Sequence, residues 1–236
     1  MTLRMLRGAE AVLARHSRAL PQPDQLCGPF SATVALAALG PEPADVVALA
    51  LAAGTHVLAG DHADWRPAGA PLLTTGWDVL PPADGPEESG TDATGLVEGL
   101  AATRPDLAVV PAAGAGDVVG LLDALAQGRH RVAVLANLRT GPVAPPGVTW
   151  DVGHFVVLWG VDPADGEAGT VALADTYAEL GVDGWPRGSR PVDGAALSGA
   201  LADRGLLLLC PAGSPTARSL PGLVAAHGFG PDLWST

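Results

Sequence analysis

The chain has 236 residues, 13 basic against 25 acidic, a formal net charge of −12 and 48% hydrophobic residues. That length suits one large domain with a sizeable core, and the apolar content excludes a fully disordered chain. The acidic balance argues against a nucleic-acid partner, which requires a positive field, and against an anionic membrane surface.

Every basic residue is Arg, Ile is absent, and there is one Asn (Asn137) and one Tyr (Tyr177). These scarce types have AT-rich codons, so the bias marks a G+C-rich gene rather than a function. Leu3, Leu6, Ala9, Leu13, Ala14 and Leu20 recur at helical spacing and predict a helix over 3–19, ended by Pro21 and Pro23. A second helix is expected from about Gly28 to Gly40-Pro41, with Pro29 in its first turn. It is apolar on all sides and therefore buried. A third is expected over Pro43 to Ala53. Residues 59–95 carry Asp61, His62, Asp64, Trp65, Trp77 and several prolines, and are expected to form an irregular insertion. Short helices follow at Val97 to Thr103 and Gly116 to Gln127, the second closed by Gly128.

The period then changes to that of strands. Arg131 to Asn137, Val152 to Val161 and Thr170 to Ala174 are expected strands, with turn chemistry at Pro163-Ala164-Asp165-Gly166. A helix at Val192 to Ala202, a strand at Gly205 to Cys210 and an irregular tail over 211–236 complete the chain. Helices followed by an antiparallel sheet define an α+β class, with residues 1–210 as one domain. Cys27 and Cys210 do not form a disulfide framework, the first residues do not read as a secretory signal, and no apolar run approaches the ~18 residues of a membrane span. The expected location is cytoplasmic.

Cys27 falls at the start of the buried helix, where the helix dipole favours a thiolate. His154 lies on the strongest strand and Asp175 at the end of the next, so neighbouring strands about 4.8 Å apart would let the carboxylate orient the imidazole. The pair shares a face only if paired residue numbers of the two strands sum to an odd value. Gln22, or alternatively Gln25, is positioned to face a developing oxyanion. His56, Asp61, His62 and Asp64 form a weak metal-like cluster, read as a solvated polar loop, so no metal and no cofactor are expected. His16, His130 and His227 have no evident partner.

The segment Cys27-Gly28-Pro29-Phe30-Ser31-Ala32, on a helix ending Ala38-Leu39-Gly40, resembles the nucleophile segment of papain-like cysteine peptidases. It is closest to the C39-like, bacteriocin-processing branch. Gly153-His154-Phe155-Val156-Val157-Leu158-Trp159-Gly160-Val161-Asp162 resembles that branch's His strand, and Val171 to Asp175 its next strand. The resemblance covers residues 20–40 and 130–210. It implies a papain-like fold, with an N-terminal helical lobe packed on an antiparallel sheet. The implied activity is a peptidase acting on a peptide or protein through a Cys27 acyl-enzyme, for instance removing the leader of a ribosomally made peptide. Its catalytic residues would be Cys27, His154, Asp175 and Gln22; Gly153, Trp65 and Trp77 are expected, apart from the resemblance, to touch substrate. An acyl transferase, ligase, macrocyclase or deamidase would use the same residues, and a non-catalytic peptide-binding module is the remaining alternative. The sequence departs from the branch in having Thr176-Tyr177 after Asp175, where Pro is frequent, and in residues 59–95, which match nothing in it. The net charge of −12 adds that a positively charged peptide would be favoured on encounter.

Overall fold

A computed structural model describes residues 2–40, 45–128, 131–164 and 168–234. Its centre is the apolar strand β4 (Gly153–Asp162), buried along almost its whole length. β3 (Ala133–Arg139) and β5 (Thr170–Ala174) flank it, and β7 (Gly205–Pro211), β2 (Leu107–Ala113) and β6 (Ser189–Asp193) complete the order β2-β7-β3-β4-β5-β6. A two-residue strand β1 (Arg4–Met5) pairs with the end of β4, making a seven-stranded sheet in which every pairing is antiparallel. The fold is α+β, as the sequence implies.

Helices cover both faces of the sheet. On one side lie α1 (Ala9–Ala19), α2 (Cys27–Ala35), α3 (Val46–Ala52) and α4 (Ala93–Thr103), packed on Leu135, Phe155, Val157, Leu207 and Leu209. On the other lie α5 (Val118–Gln127), α6 (Gly194–Ala200) and α7 (Pro215–Ala226), packed on Val134, Val156, Leu158, Leu206 and Leu208. The uninterrupted run Leu206 to Leu209 follows from this: when both faces are covered, alternation gives no advantage.

Three strands are not evident in the sequence: β1, which occupies the start of the helix expected over 3–19, where the chain is helical only from Ala9, and β2 and β6, the two edges of the path. Of these, β2 and β6 share one feature. Each contains a proline, Pro111 and Pro191, and an edge strand tolerates the missing N–H because one side of it has no partner. The residues after Cys210 correct a second expectation. They are not irregular: Ser214 caps α7 by accepting from the Ala217 N–H, Pro215 sits in the first turn, and Leu220 and Val224 bury themselves on the sheet. Pro221 and Gly222 are weak helix formers, but burial of the apolar stripe holds the helix. Helix α3 begins at Val46 behind an Asp45 cap; residues 41–44, which contain the predicted start, lie outside the described residues, as does part of the predicted turn at 163–166. Residues 59–92 form irregular chain with two short 3-10 turns, Ala63–Trp65 and Pro86–Glu88, before α4. No helix among the described residues is long and apolar enough to cross a membrane.

Candidate active site

Cys27 is the first residue of α2, and no side chain caps the helix there. The Phe30 N–H bonds the Leu26 carbonyl, Pro29 has no N–H, and the Gly28 N–H faces the Cys27 sulfur. This leaves the Cys27 N–H as an open donor at the positive end of the helix. The motif around the cysteine has a packing logic. A Cβ on Gly28 would come 3.3 Å from both Phe155 Cδ2 and Thr91 Cβ, so glycine lets the helix end sit tightly on β4. Ser31 Oγ donates to the Phe155 carbonyl at 2.9 Å, fully buried, and fixes α2 beside the residue that follows His154.

His154 lies within hydrogen-bonding reach of the half-buried Cys27 thiol. Its Nε2 is 3.1 Å from Asp175 Oδ1 and 3.1 Å from Thr176 Oγ1, which leaves Nδ1 for the sulfur. The face-sharing condition is met through a bulge. Beyond it, Gly160 pairs with Ala172 and 160 + 172 = 332; before it, Val157 pairs with Ala174 and 157 + 174 = 331. The extra residue, Trp159, shifts the register so that Asp175 falls opposite Val156, on the same face as His154. Trp150 closes on the imidazole edge-to-face with ring centroids 4.9 Å apart, and Tyr177 stacks on it at 6.0 Å.

Asp175 is fully buried and its second oxygen, Oδ2, accepts from Arg190 Nη1 at 2.7 Å. Arg190 is itself buried and also donates to the Leu180 carbonyl at 3.3 Å. Behind the pair, His16 Nε2 lies 2.5 Å from the Asp175 carbonyl, so that nitrogen carries the proton. Burial opposes the charge on Asp175, but Arg190 and His154 outweigh it and hold the carboxyl well below its ordinary range. Burial likewise opposes protonation of His154, yet Asp175 and the Cys27 sulfur push it up to about 9. The Cys27 thiol is disfavoured as an anion by burial; the His154 hydrogen bond and charge, with the Phe155 and Gly28 N–H groups, bring it below the ordinary thiol value. Both shifts favour the thiolate–imidazolium form of the pair. Cys210, fully buried under α7, goes the other way and is raised by burial.

The two glutamines separate cleanly. Gln25 has φ 67°, a left-handed conformation rare for a side-chain-bearing residue, and both ends of its amide are bound to the backbone of Leu58, Nε2 to the carbonyl at 2.9 Å and Oε1 from the N–H at 2.7 Å. It clamps the insertion. Gln22 lines the same cavity as Cys27, and its Nε2 donates to the Tyr177 hydroxyl at 3.0 Å. That hydroxyl donates in turn to Asp24 Oδ1 at 3.3 Å, so the phenol oxygen is left as acceptor and Gln22 must present its NH2 end. The amide oxygen, Oε1, is buried with no hydrogen-bond partner among the described residues. Burial, with Asp24 and the Cys27 sulfur nearby, pushes the Tyr177 phenol far up, so it stays protonated.

The cavity above Cys27 measures about 500 Å3. One wall is the insertion: Trp65 and Trp77 both line it, and Trp77 Nε1 donates to the Asp24 carbonyl at 3.1 Å. The other wall contains Gly153, Trp150, Arg139 and Arg204. All seven residues named from sequence for catalysis or contact (Cys27, His154, Asp175, Gln22, Gly153, Trp65 and Trp77) gather here, although Asp175 stands behind His154 rather than on the cavity wall. Residues 211–234 contribute nothing to its lining. The acidic and histidine cluster of the insertion is otherwise engaged: Asp61 pairs with Arg66 at 2.6 Å, and His62 stacks on Trp65 at 4.4 Å. Among the described residues, no group of three or more His, Cys, Asp or Glu side chains is arranged to hold a metal ion. His227 faces Asp117 at 3.3 Å, and His130 lies outside the described residues.

Residues 6–235 match the family model described as a family of unknown function, DUF6885. The chain belongs to this family. No curated protein matches the chain, and no solved structure does.

Arg190, Thr176, Tyr177 and His16 are members of the site to which the sequence assigned no role. Tyr177 carried one usable signal, as the sole tyrosine of the chain two residues after Asp175.

Proposed function

We propose that the chain is a cysteine peptidase of papain-like, C39-like type that cleaves a peptide bond through a Cys27 acyl-enzyme. The observation that carries this reading is the hydrogen-bonded series Cys27–His154–Asp175, set at an uncapped helix N-terminus and opening on a cavity large enough for a peptide segment. The Cys27 thiolate attacks the carbonyl carbon. The Cys27 N–H and the Gln22 amide N–H hold the oxygen as it becomes negative. His154, protonated at the outset, gives its Nδ1 proton to the leaving amine. It then takes a proton from water, which attacks the thioester and releases the acid. Asp175 keeps the imidazole ring turned with Nδ1 to the sulfur throughout, and Arg190 keeps Asp175 ionised.

Alkylation by iodoacetamide near pH 6 tests the reading at its root. Cys27 is expected to react stoichiometrically and Cys210 not at all, because only a lowered thiol titration supplies thiolate there. Intact mass after exposure to peptide substrates should then show an acyl adduct on Cys27, absent in Cys27→Ala. An unreactive Cys27, or cleavage that survives Cys27→Ala, would sink the proposal. Product masses with and without an added amine tell whether water or an amine accepts the acyl group.

A further inference from the structure

Among the described residues, one cation in the cavity has no hydrogen-bonded counter-ion. Arg139 pairs with Asp151 at 2.8 Å, but its neighbour Arg204 makes no ion pair with any described residue. Arg204 Nη1 donates to the neutral Asn137 Oδ1 at 2.9 Å, and Nε is buried with no partner. The backbone at this position is tied down on both sides, with the N–H on the Leu201 carbonyl and the carbonyl accepting from Gly114, each at 2.8 Å. The guanidinium lies against the backbone of Gly153, the residue before His154: a Cβ there would come 2.7 Å from Nη2 and 2.8 Å from Nη1. Glycine at 153 is thus what gives the guanidinium its place at the cavity wall. Asp203 and Asp151 lie within electrostatic reach without bonding to it, Arg139 adds a like charge, and burial acts to weaken its proton affinity. A half-desolvated guanidinium at a cavity wall, with no hydrogen bond from its Nη2 to a described residue, is matched by a carboxylate that accepts charge-assisted N–H bonds.

We propose that Arg204, held by Asn137 and Gly153, forms a subsite for a carboxylate carried by the substrate within about one residue of the bond that Cys27 attacks. The position relative to the bond rests on Cys27 as nucleophile; the anion subsite itself does not. The chain's overall charge of −12 opposes a polyanionic partner, so the subsite selects one carboxylate in an otherwise neutral or basic peptide. That carboxylate is either an Asp or Glu side chain or a free chain terminus.

The test compares two reagents of nearly equal size on the full chain, iodoacetate and iodoacetamide, with Cys27 alkylation rates followed by peptide mass. The thiolate fraction cancels in their ratio, and the imidazolium of His154 contributes to every variant alike. Arg204→Gln should lower the iodoacetate-to-iodoacetamide ratio by about five- to tenfold, the effect of removing one partly screened charge near the sulfur. Gly153→Ala, which displaces the guanidinium, should lower it in the same direction, and Arg204→Lys should retain most of it. A ratio unchanged in both Arg204→Gln and Gly153→Ala overturns the subsite. Slow alkylation of Cys27 by iodoacetamide in the unmodified chain counts instead against the nucleophile, and the ratio still reports on Arg204. Two peptide pools separate the sources. Turnover of amidated peptides with Asp or Glu beside the cut bond assigns a side chain, and turnover of free acids alone assigns a terminus. Equal turnover of pools lacking any such carboxylate overturns the proposal.

Discussion

Arg190→Met tests the electrostatic order of the site. The substitution keeps an unbranched apolar stem and removes the charge that lies 2.7 Å from Asp175 Oδ2. Arg190 is 3% exposed and Asp175 0%, so solvent cannot replace the lost partner. Breaking a buried pair on one side typically costs 3–5 kcal/mol, because the remaining charge stays uncompensated. Here the protonated His154 still faces Oδ1, which places the expected cost near the lower end, about 3 kcal/mol. For a chain of this size each kcal/mol moves the melting temperature by about 2–4 °C, so a drop of about 6–12 °C is expected at neutral pH. The acid limb should move as well. Asp175 titrates lower in the folded chain than in the unfolded one, so its stabilisation is complete above the unfolded carboxylate value of about 3.9 and is lost as pH falls toward the folded value. Without Arg190 the folded value rises and acid unfolding begins at a higher pH. Thermal melts of Arg190→Met, Asp175→Asn and the double variant isolate the pair. The double variant should cost much less than the sum of the singles. Additive costs, or an Arg190→Met melt within about 2 °C of the parent, would refute the assignment of Arg190 as the counter-ion of Asp175.

Further outcomes are expected. Iodoacetamide labelling of Cys27 should persist well below the ordinary thiol range and change again as His154 loses its proton near pH 9; a single rise near the ordinary thiol value would contradict the ion pair. The same imidazole stabilises the fold in full below about 6.5, its unfolded value, and that contribution fades as pH rises through about 9, which melts at pH 6 and 10 can compare. Gln22→Ala should lower turnover by about 100-fold, whereas Gln25→Ala should leave iodoacetamide labelling intact and cost about 1 kcal/mol by freeing the partly buried backbone of Leu58. Ser31→Ala should cost a similar amount, because the Phe155 carbonyl loses its buried donor, and should slow Cys27 labelling as α2 loosens from β4.

Cys27 and His154 were legible because short flanks carry both packing and chemistry: Gly28 and Ser31 are needed where α2 meets β4, and the apolar run 155–161 is needed because β4 is central. Asp175 was legible from its place at a strand end, but its geometry depended on a register that the residues do not specify. Gln22 and Gln25 could not be told apart in sequence, since the difference lies in a left-handed φ and in the backbone of Leu58, 33 positions away. Arg190 was hidden for a different reason. It sits on β6, next to Pro191, and the proline that marks an edge strand also masks its pattern.

The hidden strand and the bulge together explain why the charges meet. Arg190 pairs with Leu173 across β5 and β6, and Leu173 pairs with Leu158 across β4 and β5. Residues two apart share a face, so His154, Asp175 and Arg190 project from the same side of three adjacent strands, in the order imidazole, carboxylate, guanidinium. An unbroken ladder continuing the 332 register would have turned Asp175 to the opposite face from His154, with Arg190 following Asp175. The buried acid would then have had its cation and no imidazole to orient. The single extra residue at Trp159 therefore decides whether an arginine-backed carboxylate is only a core ion pair or the support of a reactive cysteine. Trp159 itself is buried on the α1–α4 side, against Trp185, away from the chemistry that it makes possible.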